Sequence, residues 1–313
     1  MRLKICGMLL ILSLTISACS FLREPAADPT EPEETRPQED PTSSSTPTET
    51  PAPMPSPSPT IAPGSTPPTT APPFLDEMEA RVAEFLVQCD GDWAVYVEEL
   101  DTGRTVVIGS ERMRAASLIK LYILACFLEQ NPSPAETELA LLREMITVSS
   151  NSATNELVLL LGDGSYDAGM AAVNGWAEEN GFSDTSQGRD LQDWRAEPPP
   201  GENYTSAADC GRFLSQLYRQ ELVRPETDTM MLELLLAQTR TWKIPAGLPA
   251  DAVCANKTGE LETSQHDCAI VYAPFGDFIL CVLSDNLSDS AAAQTEIPEL
   301  AALVYGYFAD TGE

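Results

Sequence analysis

Residues 117–126 form a largely apolar run that carries a lysine, and few folded environments accommodate such a segment. The run reads Ser-Leu-Ile-Lys-Leu-Tyr-Ile-Leu-Ala-Cys, which predicts a helix buried in the core. Ser117 and Lys120 stand three positions apart, so a helix directs both side chains toward the same space. A desolvated lysine loses its charge readily and then serves as a base. The segment therefore predicts a nucleophilic hydroxyl beside an uncharged amine.

Lysine is scarce in this chain, and its scarcity makes the Ser-x-x-Lys spacing informative. The only lysines are Lys4, Lys120, Lys243 and Lys257. Lys257 opens the triplet Lys-Thr-Gly, and the triplet Ser149-Ser150-Asn151 lies between it and Lys120. One Ser-x-x-Lys is a weak signal because serine is common. The ordered set of three motifs is far more specific than any one of them.

These three motifs are the signature of serine β-lactamases and penicillin-binding proteins, and from about Phe74 to the C terminus the chain resembles a class A β-lactamase. The resemblance implies an α+β fold, in which an antiparallel sheet of N- and C-terminal strands packs against a helical subdomain. It implies that Ser117 attacks a lactam or peptide carbonyl to form an acyl-enzyme, while Lys120 takes its proton. It implies no metal and no other cofactor.

The same resemblance assigns roles to the other motif residues. Ser149 relays a proton to the departing nitrogen, and Lys257 maintains a field that favours neutral Lys120 and an anionic substrate. Helix capping and packing are the alternative roles for Asn151 and for Asn155. The residues expected to contact the substrate are Asn151, Thr258, Gly259 and Glu260, and the backbone N–H groups of Ser117 and Glu260 are the expected oxyanion donors.

Two departures from the class A pattern concern the motifs themselves. Ser150 stands where class A enzymes usually carry aspartate, a position at which the wider superfamily varies. Ser117 and Ser149 are only 32 positions apart, which is closer than in typical class A enzymes. The missing segment normally forms part of the entrance wall, so a more open cleft is expected.

A third departure concerns the loop that supplies the deacylating glutamate. Family members read Arg-Trp-Glu there, and the nearest match is Asp193-Trp194-Arg195-Ala196-Glu197, which displaces Glu197 by two positions. Without a carboxylate directed at a water molecule, the acyl ester is expected to hydrolyse slowly. Asp190, Asp193 and Glu197 are the candidate bases.

Three functions are compatible with this pattern. The first is a serine hydrolase of the class A type that hydrolyses β-lactams. The second is a D-Ala-D-Ala peptidase that acts on cell-wall stem peptides. The third is a binding module that accepts a penicilloyl group and deacylates slowly.

The N-terminal part of the chain predicts export and anchoring. Residues 1–19 have a basic start and a short apolar run, which is typical of a secretory signal, and they end in Ile-Ser-Ala-Cys, which resembles a lipoprotein cleavage site. Cys19 is therefore the expected lipidation site, with an ordinary secretory signal as the alternative. Residues 20–73 are rich in Pro, Thr and Ser and predict a disordered tether. The catalytic domain, 74–313, is then expected to be extracytoplasmic, membrane-anchored through lipid and monomeric. A formal net charge of −30 argues against nucleic acid as a partner.

Hydrophobic patterning predicts strands at both ends of the folded part and helices between them. Asp101-Thr102-Gly103 is a hairpin turn signal. Strands around a helical centre favour one α+β domain whose sheet is completed by distant segments. The predicted elements are a helix at 74–89, strands at 93–97, 105–108, 252–255, 268–272 and 278–283, a helical region at 117–238 and a closing helix at 291–308.

Several isolated residues allow two interpretations. His266 is the only histidine, which excludes a histidine-rich metal site, and we expect it in a solvent-facing loop, with a catalytic base as the alternative. Lys243 is either a surface lysine or a cation for the substrate carboxylate. Besides Cys19, six cysteines follow the signal segment, and exported proteins permit disulfides. Cys254 and Cys268 are one candidate pair, and buried free thiols are the alternative.

Overall fold

A computed structural model describes residues 74–109, 111–191 and 201–311. The predicted signal segment, Cys19, the tether, Asp193 and Glu197 lie outside these residues. The helices are α1 (Phe74–Leu86), α2 (Ile119–Gln130), α3 (Glu136–Thr147), α4 (Asn151–Leu161), α5 (Tyr166–Glu179), α6 (Ala207–Tyr218), α7 (Pro225–Leu236) and α8 (Ser290–Thr311). The strands are β1 (Asp92–Glu99), β2 (Arg104–Ile108), β3 (Met113–Arg114), β4 (Tyr204–Thr205), β5 (Val253–Leu261), β6 (Ser264–Tyr272) and β7 (Phe278–Asp285). Short 3₁₀ turns cover Ala116–Leu118 and Ile244–Gly247.

The main sheet joins the two ends of the folded chain. Its strand order is β2-β1-β7-β6-β5, and every neighbouring pair is antiparallel. β1 pairs with β7 so that Tyr96 faces Cys281 across the ladder. The predicted α+β fold, with a sheet completed by distant segments, is therefore confirmed.

Both faces of the sheet are buried, because helices cover each of them. On one face, Leu280 and Val282 of β7 pack in a cluster with Ile297 and Val304 of α8. On the other face, side chains such as Cys281 pack in the core of the helical subdomain. This double coverage explains why β7 is buried along its whole length.

Helix α2 runs through the middle of the helical subdomain. Every residue from Ile119 to Leu128 is buried, including Lys120. The ring of Tyr122 contacts those of Phe182 and Phe213 edge-on, with centroids 5.3 and 5.2 Å away. The buried helix predicted from the apolar run is confirmed, and its packing holds the amine of Lys120 away from bulk solvent.

The six cysteines in the described part of the chain are free thiols. The suggested pairing of Cys254 with Cys268 is wrong, because the β5–β6 register places Cys254 opposite Val271 and Cys268 opposite Lys257. The two thiols also belong to hydrophobic clusters on different faces of the sheet. In the same part of the chain, no helix combines the length and the apolar character needed to cross a membrane.

Candidate active site

Three separate segments meet around one cavity of about 380 Å³. The first is the 3₁₀ turn that leads into α2, the second is the loop that precedes α4, and the third is the end of β5. The described residues that line the cavity are Ser117, Val148, Ser149, Ser150, Asn151, Arg240, Thr258 and Glu260. The structure therefore brings all three sequence motifs to a single place.

The backbone is strained at two points beside this cavity. Ala116 has φ of 48° and Ser149 has φ of 60°, values in the left-handed region that non-glycine residues avoid. Such conformations cost roughly 1–3 kcal/mol each and tend to occur at functional sites. Ala116 directly precedes Ser117, so the strain lies where the chain turns to present the serine hydroxyl. Composition and periodicity do not indicate the positive φ of Ala116, so this residue could not be identified from the sequence.

The hydroxyl of Ser149 lies between two lysine amines. Lys120 Nζ donates to Ser149 Oγ at 3.1 Å, to Ser149 O at 2.7 Å and to Asn151 Oδ1 at 2.7 Å. Lys257 Nζ donates to the same Oγ at 3.0 Å and to Thr258 O at 2.8 Å. A hydroxyl has two lone pairs and one hydrogen. When both amines donate, the Ser149 hydrogen is left for a third group.

Lys257 is fully buried, and its pKa is lowered to about 7. Burial is the main cause because it penalises the charged form, and the nearby cation of Arg240 adds to it. The carboxylate of Asp267 acts in the opposite direction. Lys257 therefore titrates near neutral pH, at an atom that is hydrogen-bonded to Ser149.

Gly259 allows β5 to lie against the segment that carries the serine. A Cβ atom at position 259 would stand 3.0 Å from Cδ2 of His266, 3.2 Å from the carbonyl oxygen of Ala115 and 3.3 Å from Cβ of Ala116. A larger residue would push the strand away from the turn that contains Ser117. The glycine thus sets the distance between two walls of the cavity.

Asn151 and Asn155 have different roles. Ser150 caps α4, since its side chain accepts a hydrogen bond from Ala153 N, so the capping alternative is wrong for Asn151. Asn155 packs inside the protein, where its Nδ2 donates to Leu191 O at 3.2 Å and its Oδ1 accepts from Leu191 N at 2.8 Å. Asn155 therefore holds the chain just after the buried residue Asp190.

Lys243 is buried, and the surface alternative for it is wrong. Its Nζ donates to the carbonyl oxygens of Gly259 at 3.2 Å and His266 at 3.0 Å. The same Nζ lies 3.1 Å from Oε1 of Glu260. Burial lowers the pKa of Lys243, and the carboxylate of Glu260 partly opposes this shift. Lys243 therefore lies directly behind the cavity wall formed by the end of β5.

His266 is also buried, so the expectation of a solvent-facing loop is wrong. It lies in β6, with Nε2 2.8 Å from Arg114 O, and Ser284 N donates to its Nδ1 at 3.2 Å. Because Nδ1 accepts a hydrogen bond, the neutral ring carries its proton on Nε2 and donates to Arg114 O. The ring thus ties β6 and β7 to the segment just before Ser117.

Burial lowers the pKa of His266 to about 4, and the nearby Lys243 contributes to the same shift. Burial raises the pKa of the next residue, Asp267, to about 6. The unfolded chain binds the histidine proton near pH 6.5, so the stability associated with neutral His266 is lost as pH falls from 6.5 to 4. Asp267 acts oppositely, because its folded form takes up a proton as pH falls from 6 to 3.8. The two effects nearly cancel in the wild-type protein.

We therefore expect His266→Gln to gain about 3 kcal/mol in free energy of unfolding relative to wild type when pH falls from 7 to 4. The measurement is urea unfolding of both proteins at pH 7, 5 and 4. Asp267→Asn is the matched control, since it should change the pH dependence in the opposite direction. Parallel pH profiles for wild type and His266→Gln would contradict this assignment.

Among the described residues, no cluster of His, Cys, Asp and Glu side chains is arranged to hold a metal ion. The chemistry available at the cavity is that of four hydroxyls, an amide, a guanidinium and one carboxylate, with the amines of Lys120 and Lys257 bound to the Ser149 hydroxyl. This set can supply a nucleophile, a base and a proton donor.

Comparisons with known proteins agree with this description. A family profile described as the Beta-lactamase enzyme family matches residues 77–133 and 132–308. Beta-lactamase FAR-1 of Nocardia farcinica (strain IFM 10152) is 30% identical over 154 residues, which are 47% of this chain and 46% of that protein. The matched segment thus spans about half the length of that relative.

Solved structures share the fold at lower sequence identity. PBP-A superposes with a TM-score of 0.65 at 22% identity, covering 77% of this chain and 97% of that one. The beta-lactamase of Sphaerobacter thermophilus DSM 20745 gives 0.63 at 20% identity, covering 75% and 97%. An ancestral class A beta-lactamase gives 0.64 at 22% identity, covering 73% and 99%.

Proposed function

The chain belongs to the beta-lactamase enzyme family, and from that premise we propose that it is a serine acyl-enzyme hydrolase of the class A type that acts on β-lactams. One observation carries the proposal: the Ser149 hydroxyl accepts hydrogen bonds from Lys120 and Lys257 in a cavity that Ser117 also lines. A nucleophile, a base and a proton relay are thereby available around one substrate-sized space.

Acylation begins once Lys120 has lost a proton, and with it one of its three donated hydrogen bonds. The neutral amine then takes the proton of Ser117, one helical turn away. Ser117 Oγ then forms a bond to the lactam carbonyl carbon, and the backbone N–H groups of Ser117 and Glu260 stabilise the oxyanion. The ammonium of Lys120 passes a proton to Ser149 Oγ, whose own hydrogen moves to the lactam nitrogen as the C–N bond breaks. Charge and protons balance, and Lys120 is neutral again.

Lys257 supports this sequence from the opposite side of Ser149. Its hydrogen bond to Ser149 Oγ fixes the orientation of the relay, and its charge, when present, favours the neutral form of Lys120. The pKa of about 7 means that this charge is lost progressively as pH rises through neutrality. Lys257 therefore links the acylation rate to pH.

Deacylation requires a water molecule and a base near the ester of Ser117. Asp190 is buried beside Leu191, and the other two candidates, Asp193 and Glu197, lie outside the described residues. The altered loop sequence supports slow hydrolysis of the acyl-enzyme. Slow deacylation is also what a penicilloyl-accepting module would show, so the rate of this step separates the candidate functions.

A chromogenic cephalosporin tests the proposal directly. We expect an initial burst close to one equivalent of protein, followed by steady turnover at a lower rate. A stoichiometric burst without turnover would reject hydrolysis and favour the acyl-accepting module. Release of D-alanine from a stem peptide, without cephalosporin turnover, would favour the peptidase.

We further propose that the protein is a monomer anchored by lipid at Cys19 and exposed outside the cytoplasmic membrane. The basic start, the apolar run and the terminal Ile-Ser-Ala-Cys of residues 1–19 support this proposal. Metabolic labelling with a fatty acid should mark the wild-type chain in cells and leave Cys19→Ser unmarked. Equal labelling of both chains would contradict the assignment.

A further inference from the structure

Glu260 is the one acidic residue among the described residues that line the cavity. Its Oε1 lies 3.1 Å from Nζ of Lys243, and its Oε2 lies 3.6 Å from Nη1 of Arg240. The Glu260 side chain is 30% exposed, whereas that of Lys243 is fully buried. The carboxylate therefore lies at the cavity surface, with one cation behind it and a second beside it.

Glu260 also borders a smaller recess of about 60 Å³ next to the nucleophile. Ser117 and Asn151 line both the main cavity and this recess, as Glu260 does. A substrate whose carbonyl reaches Ser117 therefore lies next to Glu260. The sequence pattern singled out the backbone N–H of this residue and assigned nothing to its carboxylate.

We propose that Glu260 is a specificity-determining residue. Its carboxylate takes the place beside Arg240 and Lys243 that a substrate carboxylate would occupy. The site therefore selects acyl donors with no negative charge on the leaving-group side. This inference rests on the proposed function, because it concerns substrates of the same Ser117 acyl-enzyme. It changes the expectation that Lys257 favours an anionic substrate.

The physical reason is the balance of charge at the cavity wall. Of the residues that line the main cavity, Arg240 and Glu260 carry charges of opposite sign, and Lys243 is already in contact with the same carboxylate. A second carboxylate placed there would face Glu260 as well as the cations, and like charges at close range oppose binding. An ester or amide brings no second charge and leaves both ion pairs of Glu260 in place. The favoured substrate class is therefore an acyl donor whose leaving group carries an ester or amide in place of a free carboxylate.

The test compares benzylpenicillin with its methyl ester, since the two differ only in the methyl group that removes this charge. The rates at which each compound adds to the intact protein are measured by mass spectrometry and expressed as the ratio of acid to ester. We expect wild type to give a ratio below one and Glu260→Gln to raise it roughly ten- to a hundredfold. Glutamine keeps the size of the side chain and removes only its charge.

Glu262→Gln is the matched control, because Glu262 lies in the exposed turn two positions along and loses the same charge. Its ratio should stay close to that of wild type. The inference would be overturned if adducts form and Glu260→Gln leaves the acid-to-ester ratio unchanged, or if Glu262→Gln changes this ratio equally. Either result would leave the proposed function intact. Absence of any adduct from either compound on wild type would reject the proposed function, and this inference with it.

Discussion

Replacing Ser117 with alanine is expected to lower the acylation rate by at least about 10,000-fold, since removal of a nucleophile eliminates the covalent step altogether. Intact mass after exposure to benzylpenicillin should show one added molecule on wild type and none on Ser117→Ala. Ser117 is only partly buried, so the substitution removes one oxygen and should leave the fold unchanged.

Ser152→Ala is the control for this experiment. Ser152 lies on the exposed side of α4, and its hydroxyl contacts Ser150 Oγ at 3.1 Å, so its loss removes a serine close to the cavity without touching the nucleophile. An adduct of normal stoichiometry on Ser117→Ala would assign the nucleophile to another residue. No adduct on wild type would reject acyl-enzyme chemistry as a whole.

Replacing Lys120 with methionine is expected to slow acylation by roughly 100- to 10,000-fold, which is the usual contribution of a general base. Methionine retains the length of the side chain and has no amine to accept the Ser117 proton. The measurement is the rate of adduct formation with benzylpenicillin at pH 7, followed by mass.

The same substitution should have a small effect on stability. Removing a buried amine relieves its desolvation, but Ser149 O and Asn151 Oδ1 lose their donor, and each effect amounts to about 1–3 kcal/mol. We therefore expect the free energy of unfolding to change by less than about 2 kcal/mol. A thermal unfolding scan distinguishes lost chemistry from lost folding.

Lys120→Arg separates a base from a fixed positive charge at this position. A guanidinium stays protonated at neutral pH and cannot accept the proton. If Lys120 acts as a base, arginine should restore no acylation. Restoration to within about tenfold of the wild-type rate would show that charge alone is needed, and would transfer the role of base to another group.

Much of the candidate site could be predicted because the residues of each motif lie close together in the sequence. Ser117 and Lys120 stand one helical turn apart, and residues 257–260 are contiguous on one strand. Such relations depend only on the geometry of a helix or a strand. Because the chain has only four lysines, a chance occurrence of two lysine-containing motifs in this order is improbable.

The contacts made by side chains across elements could not be predicted in this way. The apolar surroundings of His266 come from strands that are distant in sequence, so the Gln-His-Asp segment looked like a loop. The sequence allows Cys254 to pair with Cys268, and the β5–β6 register places the two residues opposite other partners. A shift of one residue in register moves every side chain to the other face of a sheet.

The amino-acid sequence by itself determined the family, the α+β class and the candidate residues for the chemistry, because these follow from short-range periodicity and from a rare combination of motifs. Only the tertiary structure decided that Lys243 and Arg240 face the carboxylate of Glu260, and that Ser149 stands between two amines. Those contacts join segments separated by many residues, and the charges among them interact because folding brings them within 3.6 Å of each other.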